Sequence, residues 1–310
     1  MPLWAWILFY ALVIVMLYAD LKLFGRKGQH EVSIGEALKM TAVWIIVSLI
    51  FCGGIGFYEG SGKAMEFLAG YLIEKSLSMD NLFVFLMLFS FFGIQRKYQH
   101  EVLFWGIFGA LVLRSIFIFA GAAMVQQFEW ILGIFGVFLI YTGIKMFNHK
   151  DDESVDPSKN IFVKLFKKFF PVTDQMHEDK FFIIEQGKRL ATPLFIALLV
   201  IETTDVAFAV DSIPAVFSVS RDPFIVLTSN IFAILGLRAL YFALAAIAKY
   251  FAYLKYGLGI ILSFVGVKML LEVLWDINIP TPISLLIIFG VLVLSMLASY
   301  VATLYSRKRQ

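Results

Sequence analysis

Between short charged breaks the chain runs for twenty or more residues at a time on almost nothing but apolar side chains, and no other feature constrains its fold as strongly. Inside hydrocarbon a backbone must satisfy its own N–H and C=O groups, so only helices and closed barrels span a bilayer. Runs of about 20 apolar residues have the length of a spanning helix. Reading these runs against the charged breaks predicts nine transmembrane helices, at 3–24, 38–58, 65–93, 102–125, 128–147, 191–219, 223–248, 254–275 and 280–305. The composition agrees: 60% of the 310 residues are hydrophobic and 16% charged, against about 45–50% and 25% in soluble domains. The expected class is an all-α polytopic membrane protein with no large soluble domain.

An odd number of spans puts the termini on opposite sides. With the N-terminus outside, 18 Lys and Arg fall in the inner connections and tail, against Lys63 and Arg221 outside. The positive-inside rule therefore predicts N-out and C-in. The net charge of +3 is scattered over many loops, which argues against a nucleic-acid partner. Cys52 is the single cysteine, so no intramolecular disulfide is expected. Met1 to Ala19 has no basic flank and reads as a retained helix, not a cleaved leader.

Residues 74–147 and 199–270 carry the same landmarks in the same order. Asp80-Asn-Leu-Phe83 matches Asp205-Val-Ala-Phe208, Leu113-Arg114 matches Leu237-Arg238, and Gly143-Ile-Lys145-Met matches Gly266-Val-Lys268-Met. The Asp to Arg spacings are 34 and 33, and the Arg to Lys spacings 31 and 30. Each unit has three helices, and an inner connection joins them, so the two repeats are expected to be inverted. Such repeats are typical of alternating-access transporters, whose site lies between the repeats near the midplane. The expected organisation is two N-terminal helices (1–64), the first repeat (65–148), an inner connection (149–190), the second repeat (191–275), and a last helix with a basic tail (276–310). Within the connection, Phe162, Leu165, Phe166 and Phe169 fall on one face of a short helix, with Lys164, Lys167 and Lys168 largely off it. That pattern suits a helix lying on the inner leaflet.

The helices that open the two repeats are interrupted by polar residues: Glu74-Lys-Ser-Leu-Ser-Met-Asp80-Asn81 and Glu202-Thr-Thr-Asp205-Val-Ala-Phe-Ala-Val-Asp211-Ser212-Ile-Pro214. A carboxylate at the bilayer centre costs about 2.5–3.5 kcal/mol on insertion scales, so five need partners. Asp211 lies about 240° round the helix from Asp205, and Pro214 removes an N–H there, which predicts a broken helix over 210–214. His30, His100, His149 and His177 are all expected in inner connections, leaving oxygen donors at the repeat centres. Oxygen-only sites suit hard ions such as Mn²⁺, Mg²⁺ and Ca²⁺. Arg114, Arg238, Lys145 and Lys268 are expected to neutralise the repeat carboxylates or to exchange places with an entering cation. Carboxylates in apolar surroundings hold protons more tightly, so proton exchange is the expected coupling.

Over Glu74 to Phe85 and Glu202 to Ala215, and again in Leu-Arg-Ser115, Asp222-Pro-Phe-Ile-Val-Leu-Thr-Ser-Asn230 and Leu235-Gly-Leu-Arg-Ala239, the sequence resembles the TerC family of integral membrane proteins, most closely its Alx branch. The resemblance covers nearly the whole chain. It implies Mn²⁺ export across a bacterial inner membrane, with Asp80, Asn81, Glu202, Asp205, Asp211 and Ser212 at the metal and Glu74 as an outlying member. Glu74 stands six residues before Asp80 rather than three, and Leu86 occupies the place in repeat one that Asp211 holds in repeat two. No cofactor and no enzymatic activity are expected. An aspartyl protease would carry Gly-x-Gly-Asp, whereas Gly257-Leu-Gly259 is followed by Ile260. The competing readings are a membrane-protein assembly factor and an exporter of another hard ion such as Ca²⁺; the oligomeric state is left open.

Overall fold

A computed structural model describes residues 2–25, 34–128, 130–148, 160–173, 180–185, 187–247 and 254–307, without the side chains of Asp80, Phe83 and several residues at helix ends. The elements in chain order are α1 (Leu3–Gly25), α2 (Ile34–Glu59), α3 (Ser61–Phe91), α4 (Arg96–Gln127), α5 (Ile131–Asn148), α6 (Ile161–Phe169), β1 (Phe182–Glu185), β2 (Lys188–Ala191), α7 (Pro193–Phe217), α8 (Pro223–Ile234), α9 (Leu237–Ile247), α10 (Leu254–Trp275) and α11 (Thr281–Arg307). The architecture is a polytopic helical bundle.

Among the described residues, seven stretches are long and apolar enough to cross a membrane: those of α1, α2, α4, α7, α8 with α9, α10 and α11. α3 is not among them, because Lys63, Glu66, Glu74, Lys75 and Asp80 lie along it. The apolar part of α5, Ile131–Phe147, is shorter than a full span. The stretch formed by α8 and α9 is 94% buried, whereas the α11 stretch is 22% buried and presents large apolar side chains such as Leu286 and Leu294 outward. The α8–α9 pair is thus the centre of the bundle and α11 a lipid-facing wall. α3 packs on α2 and α8, and α4 on α7.

The discontinuity sits elsewhere than the sequence suggests. α7 runs unbroken through Pro214 to Phe217, and Ser218 N–H donates to the Pro214 carbonyl. Only three helical residues follow Pro214, so the lost hydrogen bond falls near a helix end, where a spanning helix tolerates it. The break lies instead inside the stretch expected as one helix over 223–248. Leu235 leaves the helical region and Gly236 takes φ +82°, and a Cβ at Gly236 would lie 2.6 Å from the Trp44 ring of α2. Only glycine meets both the positive φ and the close approach. Lys75 donates to the Ala233 carbonyl at 3.0 Å, placing a cation at the C-terminal end of α8.

α5 and α10 make the most extensive helix contact in the bundle. Their glycines interlock in two reciprocal pairs. A Cβ at Gly136 would lie 2.9 Å from the Gly266 carbonyl oxygen, and one at Gly143 2.7 Å from that of Gly259. Small residues are what let membrane helices approach to backbone contact.

In the 149–190 connection the expected short helix is present as α6. Asn160 caps it by accepting from Phe162 and Val163 N–H, and its Nδ2 donates to Thr203 Oγ1 of α7 at 2.9 Å. Val163 is buried and Phe166 packs on Phe195, while Phe162, Leu165 and Phe169 stay exposed. An all-α description needs one amendment here, an antiparallel hairpin of β1 and β2 turning at Gly187 (φ +75°). His100 also falls inside α4, which starts at Arg96, six residues before its expected beginning. His30, His149 and His177 lie outside the described residues.

Candidate functional site

Arg114 is the hub of the buried polar centre. It sits in mid-α4 with 1% exposure, where an unpaired guanidinium would be expensive. Its Nε and Nη2 grip both oxygens of Asp205 on α7, at 3.1 and 2.8 Å. This is the two-pronged geometry that makes arginine the preferred carboxylate partner. Nη1 meets Glu74 Oε1 of α3, and also Ser212 Oγ (3.3 Å) and Asn230 Oδ1 (3.2 Å). Asn230 Nδ2 closes the ring on Glu74 Oε2 at 2.9 Å, and Ser78 Oγ donates to Glu74 Oε1 at 3.2 Å. Glu74, Ser78, Asp205, Ser212 and Asn230 are all buried. Four helices, α3, α4, α7 and α8, therefore meet at one guanidinium. Glu74 and Asp205 come from the two segments matched as repeats.

The other expected site residues are dispersed around this centre. The side chain of Asp80 lies outside the described residues, so its place in the site is undescribed. Asn81 is buried, and among the described residues it makes none of the hydrogen bonds of the network. Glu202, one turn before Asp205, turns toward Gly109 of α4, where any Cβ would collide with its carboxylate; its Oε2 is buried with no hydrogen-bond partner among the described residues. Asp211 is half-buried, accepts from Thr142 Oγ1 at 3.3 Å, and has Lys145 as a charged neighbour. Lys145 itself is exposed. Lys268 is buried with Glu66 and Glu272 as its electrostatic neighbours. Arg238, expected to neutralise a repeat carboxylate, pairs through Nη2 at 3.0 Å with Asp20 Oδ2, an acid of α1, and has Glu101 of α4 as a further charged neighbour.

The motif spacing sets Glu74 apart from the other acids and does not point to Asn230 or Ser78. The signals were present, since Asn230 is the last residue of the Asp222–Asn230 motif and Ser78 is one helical turn after Glu74. What was missing was the side from which α8 approaches. Among the described residues no three of His, Cys, Asp or Glu cluster closely enough to hold a metal. As it stands, the guanidinium occupies the space between the two acids. If it withdrew, Glu74, Asp205, Ser78, Ser212 and Asn230 would present carboxylate, hydroxyl and amide oxygens only, the donor set of hard cations.

Residues 59–309 match the integral membrane protein TerC family. The chain is 47% identical over 297 residues to the "Putative membrane-bound redox modulator Alx" of Escherichia coli (strain K12), covering 93% of this chain and 92% of that one. It is 48% identical over 274 residues to the protein of the same description from Photorhabdus laumondii, covering 86% and 85%. It is 47% identical over 296 residues to the membrane protein STKORF319 of Myxococcus xanthus, covering 96% and 92%. No solved structure matches it. A buried acid, arginine and amide centre inside a polytopic bundle, with the family match spanning four-fifths of the chain, leads to one conclusion: this protein belongs to the TerC family of integral membrane proteins.

Proposed function

We propose that the protein exports a hard divalent cation, Mn²⁺, from the cytoplasm of a bacterium by exchange against protons. The observation that carries this reading is the capture of Glu74 and Asp205, from the two halves of the chain, by the single buried guanidinium of Arg114. Those three groups sum to a formal charge of minus one, and two carboxylates around a divalent ion sum to zero. Exchange of Arg114 for the ion therefore conserves approximate neutrality in a medium that penalises net charge. The displaced guanidinium, or a proton taken up by a carboxylate, restores balance when the ion leaves.

The glycine pairs of α5 and α10 support the inverted-repeat reading. Gly143 corresponds to Gly266 in the repeat alignment, and the same offset relates Gly136 to Gly259. Exchanging the two halves turns the Gly136–Gly266 contact into the Gly259–Gly143 contact, as a two-fold axis between repeats requires. With nine spans the N-terminus lies outside and the C-terminus in the cytoplasm of an inner membrane. A reporter fused after Gln310 would then be active only in its cytoplasmic form.

The name of the Alx relatives suggests redox modulation. Cys52 is the single thiol of this chain, and it lies in α2, outside the Arg114 network, with its Sγ 3.4 Å from the Ala64 carbonyl. A dithiol couple has no second partner within the chain, so ion transport is the better reading.

The test is Mn²⁺ flux in proteoliposomes under an imposed pH gradient, with Asp205→Asn as control. Saturable flux that the variant abolishes, and that carries protons the other way, is expected. Absence of flux from folded wild-type protein would refute the transporter reading in favour of an assembly factor. Flux indifferent to the pH gradient would remove the proton from the mechanism.

A further inference from the structure

Where α3 ends and α4 begins, the bundle holds a cavity of about 390 Å³ that the buried centre does not use. Ser90 and Gly93 line it from the end of α3 and the turn, Arg96, Lys97 and His100 from the start of α4, and Phe242 from α9. Four residues separate the two helix ends, so the cavity opens at a face of the bundle where spanning helices stop, the level of lipid headgroups. No lining residue is acidic. Arg96 and Lys97 are exposed, and no carboxylate pairs with Arg96 among the described residues.

The wall behind these cations is fixed and mixes polar with aromatic and aliphatic groups. Gln99, at 8% exposure, has its amide committed on both sides: Nε2 donates to the Ile94 carbonyl at 2.9 Å, and Oε1 accepts from Tyr241 Oη at 3.0 Å. Tyr241 packs edge-on against Phe89, and the His100 ring lies 4.3 Å from that of Phe242. The result is a preformed pocket with a cationic rim and an aromatic floor. The N-terminus of α4 opens on the same rim, and Gln95 supplies no side-chain cap there, so the helix dipole adds to the positive field.

We propose that this cavity binds the phosphodiester of an anionic phospholipid. Arg96 and Lys97 hold the phosphate, and the glycerol and first acyl carbons lie against Ile34, Leu86 and Phe242. Basic pockets between spanning helices recognise anionic headgroups in this way. A free phosphate would use the cations and leave the apolar floor wet, so the mixed lining favours the lipid. A lipid seated there bridges α3, α4 and α9, and so braces α9 just beyond the break at Gly236. The site stands apart from the transported ion and does not depend on its identity.

The test compares purified wild-type protein with an Arg96→Gln, Lys97→Gln double variant, titrated with phosphatidylglycerol, phosphatidylcholine or inorganic phosphate, and read by native mass spectrometry and thermal unfolding. Phosphatidylglycerol is expected to bind wild type in preference to phosphatidylcholine, and the variant to lose about 10- to 30-fold of that preference. Its melting temperature in phosphatidylcholine should be unchanged. If the double variant fails to fold, Ala245→Phe fills the cavity from its apolar side and should abolish the same preference with both cations retained. Equal preference in wild type and in the folded variants overturns the proposal. Stabilisation by inorganic phosphate equal to that by phosphatidylglycerol overturns it in favour of a soluble-anion site.

Discussion

Replacing Arg114 with glutamine tests the logic of the buried centre directly. The side chain is 1% exposed and holds two acids, Glu74 at 0% and Asp205 at 6%. Glutamine keeps some hydrogen bonding and removes the charge, so two carboxylates face each other in a buried site with no cation between them. Breaking a buried ion pair by deleting one partner costs about 3–5 kcal/mol. For a chain of 310 residues unfolding entropy translates this into a melting temperature lower by about 5–8 °C, at roughly 1.5 °C per kcal/mol. A divalent cation bound in the vacated space would restore stability by about 2.7 kcal/mol at a hundredfold excess over its Kd. The assay is thermal unfolding in detergent micelles, with and without Mn²⁺, of wild type, Arg114→Gln and the double variant Arg114→Gln, Asp205→Asn. The single variant is expected to be the least stable without metal and to gain the most from it, while the double variant, with one acid neutralised, recovers part of the loss and responds less to Mn²⁺. If Arg114→Gln matches wild type in stability, the guanidinium does not hold the acids together. If Mn²⁺ stabilises wild type as much as the single variant, the ion and the guanidinium do not compete for the same oxygens.

Other positions give shorter tests. Asn230→Ala strips a hydrogen-bond partner from both Arg114 and Glu74, and should cost about 1–3 kcal/mol in denaturation; a neutral result would remove α8 from the site. Gly266→Ala forces a Cβ to within 2.5 Å of the Gly136 carbonyl oxygen, and the α5–α10 contact should loosen by about 1–3 kcal/mol, seen as faster proteolysis or a lower melting temperature. Gly109→Ala pushes against the Glu202 carboxylate; Mn²⁺ flux should fall while the fold survives, and unaltered flux would exclude Glu202 from the ion path.

The apolar helical runs were readable from sequence because burial in lipid demands the same thing of every residue along a run. Ends shifted by several residues: α4 reaches out to Arg96, and α2 starts at Ile34 rather than 38. Pro214 and Gly236 show where local rules stop. A proline inside a span predicts a break, yet the break is at Gly236, because its positive φ and the Trp44 ring pressed against it come from packing between helices that are far apart in sequence. The charged landmarks behaved alike. That Arg114 would neutralise acids followed from the price of a bare cation in hydrocarbon. That Arg238, its counterpart in the alignment, would take Asp20 from α1 did not follow, since α1 lies outside the repeats.

Sequence alone determined the membrane class, the approximate course of the apolar helices, the family and the acids worth watching, because hydropathy and motif spacing are properties of consecutive residues. The tertiary structure decided which of those acids share a cation. Glu74 and Asp205 are 131 positions apart, Asn230 comes from a third helix, and the Arg114 that joins them comes from a fourth. Only packing direction, which no run of consecutive residues encodes, brings them within hydrogen-bond reach.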